Sequence, residues 1–227
     1  MSFAFDNSYL SFAIVSCSIN NLRDNFSSTY NIDNGQTSPN GKWNNVYSGY
    51  GSTGVEIVNE SSVFFLKPKT PTSSEETNAA LVKSTDSYCN FILDFDIKTV
   101  KQLRENSPPN TWETGWIFFR YTDTFHYYWF TISNEGIELG KKDCDKCKDP
   151  VDGQQFLVTK LDPKLDLNSW SHWKIIIIGN NIQVFVDGKL VIDYNDEEMS
   201  HALSHGNIAM YSEDAYVQYD NMDLESQ

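Results

Sequence analysis

The sequence predicts an all-β fold, a two-sheet antiparallel β-sandwich, on three observations. Segments of strand length with alternating apolar and polar residues recur along most of the chain. Clusters of turn residues separate them, and only residues 196–203 suit a helical turn. The composition agrees, with 40% hydrophobic and 14% aromatic residues, a ring content that suits pleated surfaces. A chain of 227 residues is long enough to bury a substantial core without metal or disulfide staples.

The elements follow in order. Residues 1–21 read as an N-terminal extension or first edge strand, and residues 22–227 as one sandwich domain. Residues 33–54 are rich in Gly, Asn, Ser and Pro with aromatic spacers and read as loop. Residues 55–58 and 62–66 form a hairpin around Asn59-Glu60. A polar loop with Pro68 and Pro71 leads to a short strand at 80–83. Residues 90–99 alternate Phe91, Leu93, Phe95 and Ile97 with Ile92, Asp94, Asp96 and Lys98, a strand buried on one face. After a loop containing Pro108-Pro109 come three strands joined by turns, at 114–122, 125–133 and 137–142. Residues 170–179 and Asn181–Val186 make a hairpin, and Asp187-Gly188 is the strongest two-residue turn signal in the chain. Strands at 189–194, 206–211 and 215–224 close the domain.

The three strands between Thr114 and Lys142 carry the functional signal. If Ile117, Phe119, Tyr121, Tyr128, Phe130, Ile132, Ile137 and Leu139 point into the core, then Trp116, Phe118, Arg120, Tyr127, Trp129 and Glu138 share the opposite face. Aromatic faces stack on the C–H groups of a sugar ring, and charged groups hydrogen-bond its hydroxyls, so an open face of this kind suits a carbohydrate. The alternative is a second buried aromatic layer under a loop; Arg and Glu are seldom fully buried unless paired, which favours the open face.

A formal net charge of −14 and a pI near 4.5 argue against nucleic acid and anionic membrane surfaces as general partners. The longest apolar runs, residues 12–15 and 175–178, fall far short of the ~20 residues of a spanning helix. The first thirty residues lack a basic n-region, so no signal peptide is visible, although a mature chain would look the same. Asn25 and Asn59 head N-x-[ST] sequons, too common by chance to decide location. Cys144 and Cys147 sit in a polar loop and read as a local disulfide, as free thiols, or as half of a zinc site with His201 and His205. A Cys17–Cys89 bridge is open.

A further resemblance rests on the order of several motifs. These are Asp24-Asn25-Phe26, Phe91-x-Leu93-x-Phe95-x-Ile97, Gly115-x-Ile117-x-Phe119-Arg120 and Tyr127-Tyr128-x-Phe130-x-Ile132. They continue with Trp173-x-Ile175-x-Ile177, Ile182-x-Val184-x-Val186-Asp187-Gly188, Gly206-x-Ile208-Ala209-Met210-Tyr211 and Val217-x-Tyr219-Asp220-Asn221-Met222. The run, over roughly residues 22–225, resembles concanavalin A-like lectin/glucanase jelly rolls, in particular laminin-G-like and family-16-glycoside-hydrolase-related domains. The resemblance implies a jelly-roll β-sandwich, a polysaccharide or oligosaccharide partner, and an extracellular or cell-surface setting. It also implies a structural Ca²⁺, at Asp24 and Asp220 in this chain.

Function must still be argued from the site, since the fold hosts lectins, glycosidases, lyases and adhesion modules. The Glu-x-Asp-x-x-Glu strand of the retaining glucanases is absent. Glu113 and Glu138 are the best alternative carboxylate pair for hydrolysis, unless Glu138 simply pairs with Arg120 across the sheet. A lyase would draw on Arg120, His126, Tyr127, Tyr128, Gln102 and Arg104. Carbohydrate recognition by Trp116, Arg120, Tyr127, Trp129 and Glu138 is the leading expectation. A glycan-cleaving enzyme comes second and an extracellular structural or adhesion subunit third.

Overall fold

The computed structural model describes residues 17–149 and 152–227. The expected N-terminal extension therefore lies mostly outside the described residues. With strands numbered in chain order, one sheet runs β14 (Lys189–Asn195), β13 (Asn181–Val186), β12 (Ser171–Ile178), β7 (Phe91–Gln102), β16 (Ala215–Ser226), β5 (Ser61–Lys67), β4 (Ser52–Val58) and β2 (Tyr30–Asn31). A ninth strand, β1 (Leu22–Asp24), pairs with the end of β16. The second sheet runs β11 (Gln154–Lys160), β10 (Gly136–Asp143), β9 (His126–Ser133), β8 (Gly115–Asp123), β15 (Asn207–Glu213), β6 (Ala79–Ser84) and β3 (Trp43–Tyr47). Every pairing is antiparallel. The helical turn expected near 196–203 is a single 3-10 turn, His201–Ser204.

The core forms where the two inner faces meet. The first sheet supplies Phe91, Leu93, Phe95, Trp173, Ile175, Ile177, Val184, Val217 and Tyr219. The second supplies Ile117, Phe119, Tyr128, Phe130, Ile132, Ile137, Leu139, Ile208 and Met210, all buried. The period-2 pattern of β7 and β12 directly produces this, since Phe91, Leu93, Phe95, Ile97, Trp173, Ile175 and Ile177 point inward while Asp94, Asp96, Lys98 and Lys174 point out. Phe130 and Phe95 both pack on Trp173, at ring centroids 4.9 and 5.6 Å apart in edge-on geometry, an arrangement aromatic quadrupoles favour.

Three departures from the expected elements matter for the site. Trp43–Tyr47 is a strand, although turn residues surround it; Trp43 is fully buried and donates its indole N–H to Asp24 at 2.8 Å. Gln154–Lys160 is also a strand, exposed along most of its length, so it lacks the apolar signal that marks a half-buried one. Finally, the pairing of β8 slips between Phe119 and Asp123, and Arg120 takes φ +51. A bulge of this kind reverses side-chain parity beyond it.

Both cysteine pairs are closed: Cys17 to Cys89, and Cys144 to Cys147. The Cys144 and Cys147 sulfurs are therefore unavailable as zinc thiolates. Two disulfides fit an oxidising, secreted or surface setting. Among the described residues no helix is long and apolar enough to cross a membrane.

Candidate functional site

The outer face of the second sheet carries two rows of side chains set by register. One row crosses Tyr211, Trp116, Thr131, Glu138 and Thr159 on β15, β8, β9, β10 and β11. The adjacent row crosses Ala209, Phe118, Trp129, Gly140 and Phe156. Gly140 is required here. A Cβ on it would lie 2.1 Å from the Trp129 ring, so only glycine lets the indole lie flat across β10. Phe156 then meets the Trp129 ring edge-on at 5.9 Å.

A groove of about 600 Å³ runs over these rows. Its floor is Trp116, Trp129, Thr131 and Glu138. One side is β11 with Phe156, Thr159 and Lys160, and the other is the rim of Thr77, Thr111, Trp112 and Glu213. Volume and lining are those of a small-molecule cleft, largely apolar with a few placed polar groups. Trp112 and Phe156 are the exposed rings, at 46% and 62%.

Two carboxyl groups are fastened to the floor by aromatic donors. The Trp129 indole N–H donates to Glu138 Oε1 at 2.8 Å, and the Tyr211 hydroxyl donates to Glu213 Oε2 at 2.7 Å. Burial raises the pKa of Glu138, against the pull of the Trp129 bond. Burial likewise raises that of Glu213, with Asp214 and Glu113 adding to it. Both groups therefore ionise at a higher pH than a free carboxyl does.

Each expected site residue has a definite position. Trp116, Trp129 and Glu138 come together in the groove as the alternation requires. Trp129, however, is only 2% exposed, wedged between Trp116, Tyr127 and Phe156. Tyr127 lies on the same face but outside the groove, stacked on Phe118 at 4.6 Å, with burial raising its hydroxyl to about 12. The face is thus both things the sequence offered: a packed ring layer, and an open groove at its β11 end.

Arg120 is not on this face. The bulge turns it inward, where its guanidinium donates to the Cys89 carbonyl, through Nε at 3.1 Å and Nη2 at 2.8 Å, and lies 3.0 Å from Met199 Sδ. It is 2% exposed and does not pair with Glu138. The same slip sends Tyr121 outward onto Phe118 instead of into the core. Glu113 is also outside the groove. It is fully buried and ion-paired to Arg104 Nε, with Asn110 donating to it at 3.0 Å. The carboxyls that join Glu138 in the groove are Glu213 and Glu135.

Arg104 is the centre of a buried hub. Besides Glu113 it donates to Asp214 Oδ2 at 2.6 Å and to the carbonyls of Ser73 and Glu76 at 2.6 and 3.0 Å. It thereby joins the loop before β6, the loop before β8 and the β15–β16 turn, which carry Thr77, Trp112 and Glu213. The lyase-type candidates do not converge either. Tyr128 donates to Asp196 at 2.6 Å within the core, and His126 lies between Asp123 and Asp145.

The Ca²⁺ expectation can be tested on its donor set. Asp24 is 7% exposed. Its Oδ1 accepts the Phe26 N–H at 3.0 Å, and its Oδ2 accepts from Asn40 and the Trp43 indole, both at 2.8 Å. Three N–H donors already occupy both oxygens, so Asp24 does not fit a calcium ligand. Asp220 Oδ1 accepts the N–H of the next residue, Asn221, at 2.7 Å.

Trp112, Phe156 and Glu213 were not singled out by sequence reasoning as site residues. Trp112 and Glu213 lie just outside the alternating windows, and Phe156 lies on a strand that shows no alternation.

Sandwich, sheet order and groove define a concanavalin A-like jelly roll of the carbohydrate-handling class. Within that class, the chain belongs to the 3-keto-alpha-glucoside-1,2-lyase-like domain family, whose profile matches residues 28–225. The carbohydrate-binding module CBM66 from Bacillus subtilis has a similar fold, at TM-score 0.57 and 17% identity over 86% of this chain and 99% of that one. So does a Bacillus subtilis protein of unknown function with a galectin-like fold, at TM-score 0.57 and 12% identity over 90% and 98%. The Crh5 transglycosylase follows at TM-score 0.51 and 10% identity over 91% and 88%. No curated protein matches the chain.

Proposed function

We propose that this protein binds a carbohydrate chain in the groove over the second sheet. The observation that carries the reading is the combination of four rings, Trp112, Trp116, Trp129 and Phe156, with two anchored carboxyl groups in one groove of about 600 Å³. Trp112 and Phe156 stack on sugar faces from opposite sides. Glu138 keeps one oxygen on the Trp129 N–H and turns the other to sugar hydroxyls, while Glu213, held by Tyr211 and within reach of the Trp112 indole, closes the rim. Titration calorimetry over a panel of neutral polysaccharides tests this, with Phe156→Ala and Trp112→Ala expected to lose binding. Unchanged affinity in both variants would move the ligand off this face.

A second reading, cleavage of the bound glycan, is favoured by the raised pKa of both groove carboxyls, which suits proton transfer. The family name suggests elimination from a 3-keto glucoside. A C3 ketone acidifies the C2–H; one carboxylate takes that proton as the C1–O bond breaks. The other carboxyl, still protonated, gives its proton to the departing oxygen, leaving an unsaturated sugar and an alcohol. Glu138→Gln keeps the hydrogen bond to Trp129 but cannot ionise. It should lower kcat by about 10²-fold or more with binding within a few fold. Equal losses in both would make Glu138 a binding group only.

A further inference from the structure

The charge of the groove limits which glycans it takes, an inference that rests on the glycan-groove reading above. Its charged lining is three glutamates, Glu135, Glu138 and Glu213, against one lysine. That lysine, Lys160, turns its ammonium to the Val191 carbonyl. The other cations of this face are engaged elsewhere. Lys142 is fully buried over the Phe125 ring, near Asp149, Asp152 and Asp123. Lys83 bonds Asn207 at 3.1 Å, at the far side of the sheet. Beneath the rim, Arg104 is matched by two carboxylates, Glu113 and Asp214, so the hub adds no positive field. Nor does the expected Arg120 supply one, because its guanidinium points into the core.

We propose that the groove is a selectivity filter against acidic sugars: it takes uncharged glycans, binds their amino-sugar counterparts more tightly, and rejects uronates. Above the pH at which Glu138 and Glu213 ionise, a carboxylate on a sugar seated over Trp129 would meet both within a low-dielectric cleft, which focuses their repulsion. An ammonium in the same place would gain what the carboxylate loses.

The test uses hexaoses of glucose in α-1,4, β-1,3 and β-1,4 linkage, each beside its C6-oxidised derivative, and the β-1,4 glucosamine hexaose. Whichever neutral hexaose binds, its oxidised form should bind at least about tenfold more weakly at low salt, with the gap narrowing as salt screens it. The glucosamine hexaose should bind more tightly than its β-1,4 glucose counterpart. The Glu138→Gln/Glu213→Gln variant should close most of the gap between neutral and oxidised forms, which a purely steric exclusion of the larger C6 group would leave intact. Oxidised hexaoses binding as well as neutral ones would overturn the charge filter and leave glycan binding standing. Binding of none of them, charged or not, would remove the groove reading and this inference together.

Discussion

Replacing Phe156 and Trp129 separately by alanine distinguishes a groove wall from its floor. Phe156 is 62% exposed on an edge strand and Trp129 2% exposed beneath it. Removing a buried Trp side chain costs about 3–5 kcal/mol. In a chain of this size that corresponds to a fall in Tm of roughly 6–20 °C, at about 2–4 °C per kcal/mol. Phe156→Ala removes a ring already largely in water, so Tm should move by no more than about 2 °C. In binding the order reverses in cleanness. Loss of an exposed stacking ring should weaken glycan affinity by about 1–3 kcal/mol, roughly 5- to 150-fold, with the fold intact. Differential scanning calorimetry and isothermal titration on both variants check this. A Trp129→Ala protein that melts with the wild type would refute the buried-floor assignment, and a Phe156→Ala protein with unchanged affinity would refute the wall.

The other expectations follow from buried charge. Arg104→Met leaves Glu113 and Asp214 buried and unpaired, so it should cost about 3–5 kcal/mol in chemical denaturation; a loss under about 1 kcal/mol would show that the hub contributes little. Because the Glu213 pKa is raised in the fold, its stabilising contribution is full below the ordinary carboxylate value of 4.5 and is lost as pH rises through the raised value. Glu213→Gln should therefore raise Tm at neutral pH, with the gain vanishing in acid; a gain that is the same at both would contradict the shift. Calcium chelation should leave Tm unchanged, since Asp24 already serves three N–H donors; a fall in Tm that added Ca²⁺ reverses would return the ion to the account.

The sandwich was legible because β7, β12 and β13 alternate along most of their length and bury one face. The inward set from Ile117 to Leu139 follows from the same rule, as does the meeting of Trp116, Trp129 and Glu138. Alternation fails where the backbone does. At Arg120 a positive φ and a slipped register exchange the faces, so the guanidinium enters the core and Tyr121 leaves it. Glu113 illustrates a second limit: whether a carboxylate faces a groove or a buried guanidinium depends on Arg104, nine residues away in sequence. Phe156 illustrates a third, since an edge strand wet on most of its length has no hydrophobic period to read. Glu213, which lines the groove where Glu113 does not, sits beyond the window in which β15 alternates.

The Arg104 hub has one more consequence. Three segments far apart in sequence, ending in Thr77, Trp112 and Glu213, are clasped by a single guanidinium that water barely reaches. A rim built this way behaves as a mould rather than a clamp. On the proposed reading it meets the sugar already shaped, so little loop freedom is surrendered on association, and shape discrimination is set before contact. It also frees the outermost rim positions to vary: side chains at Thr77 and Thr111 can change without loosening the clasp, which offers the fold a route to new sugars on an unchanged foundation.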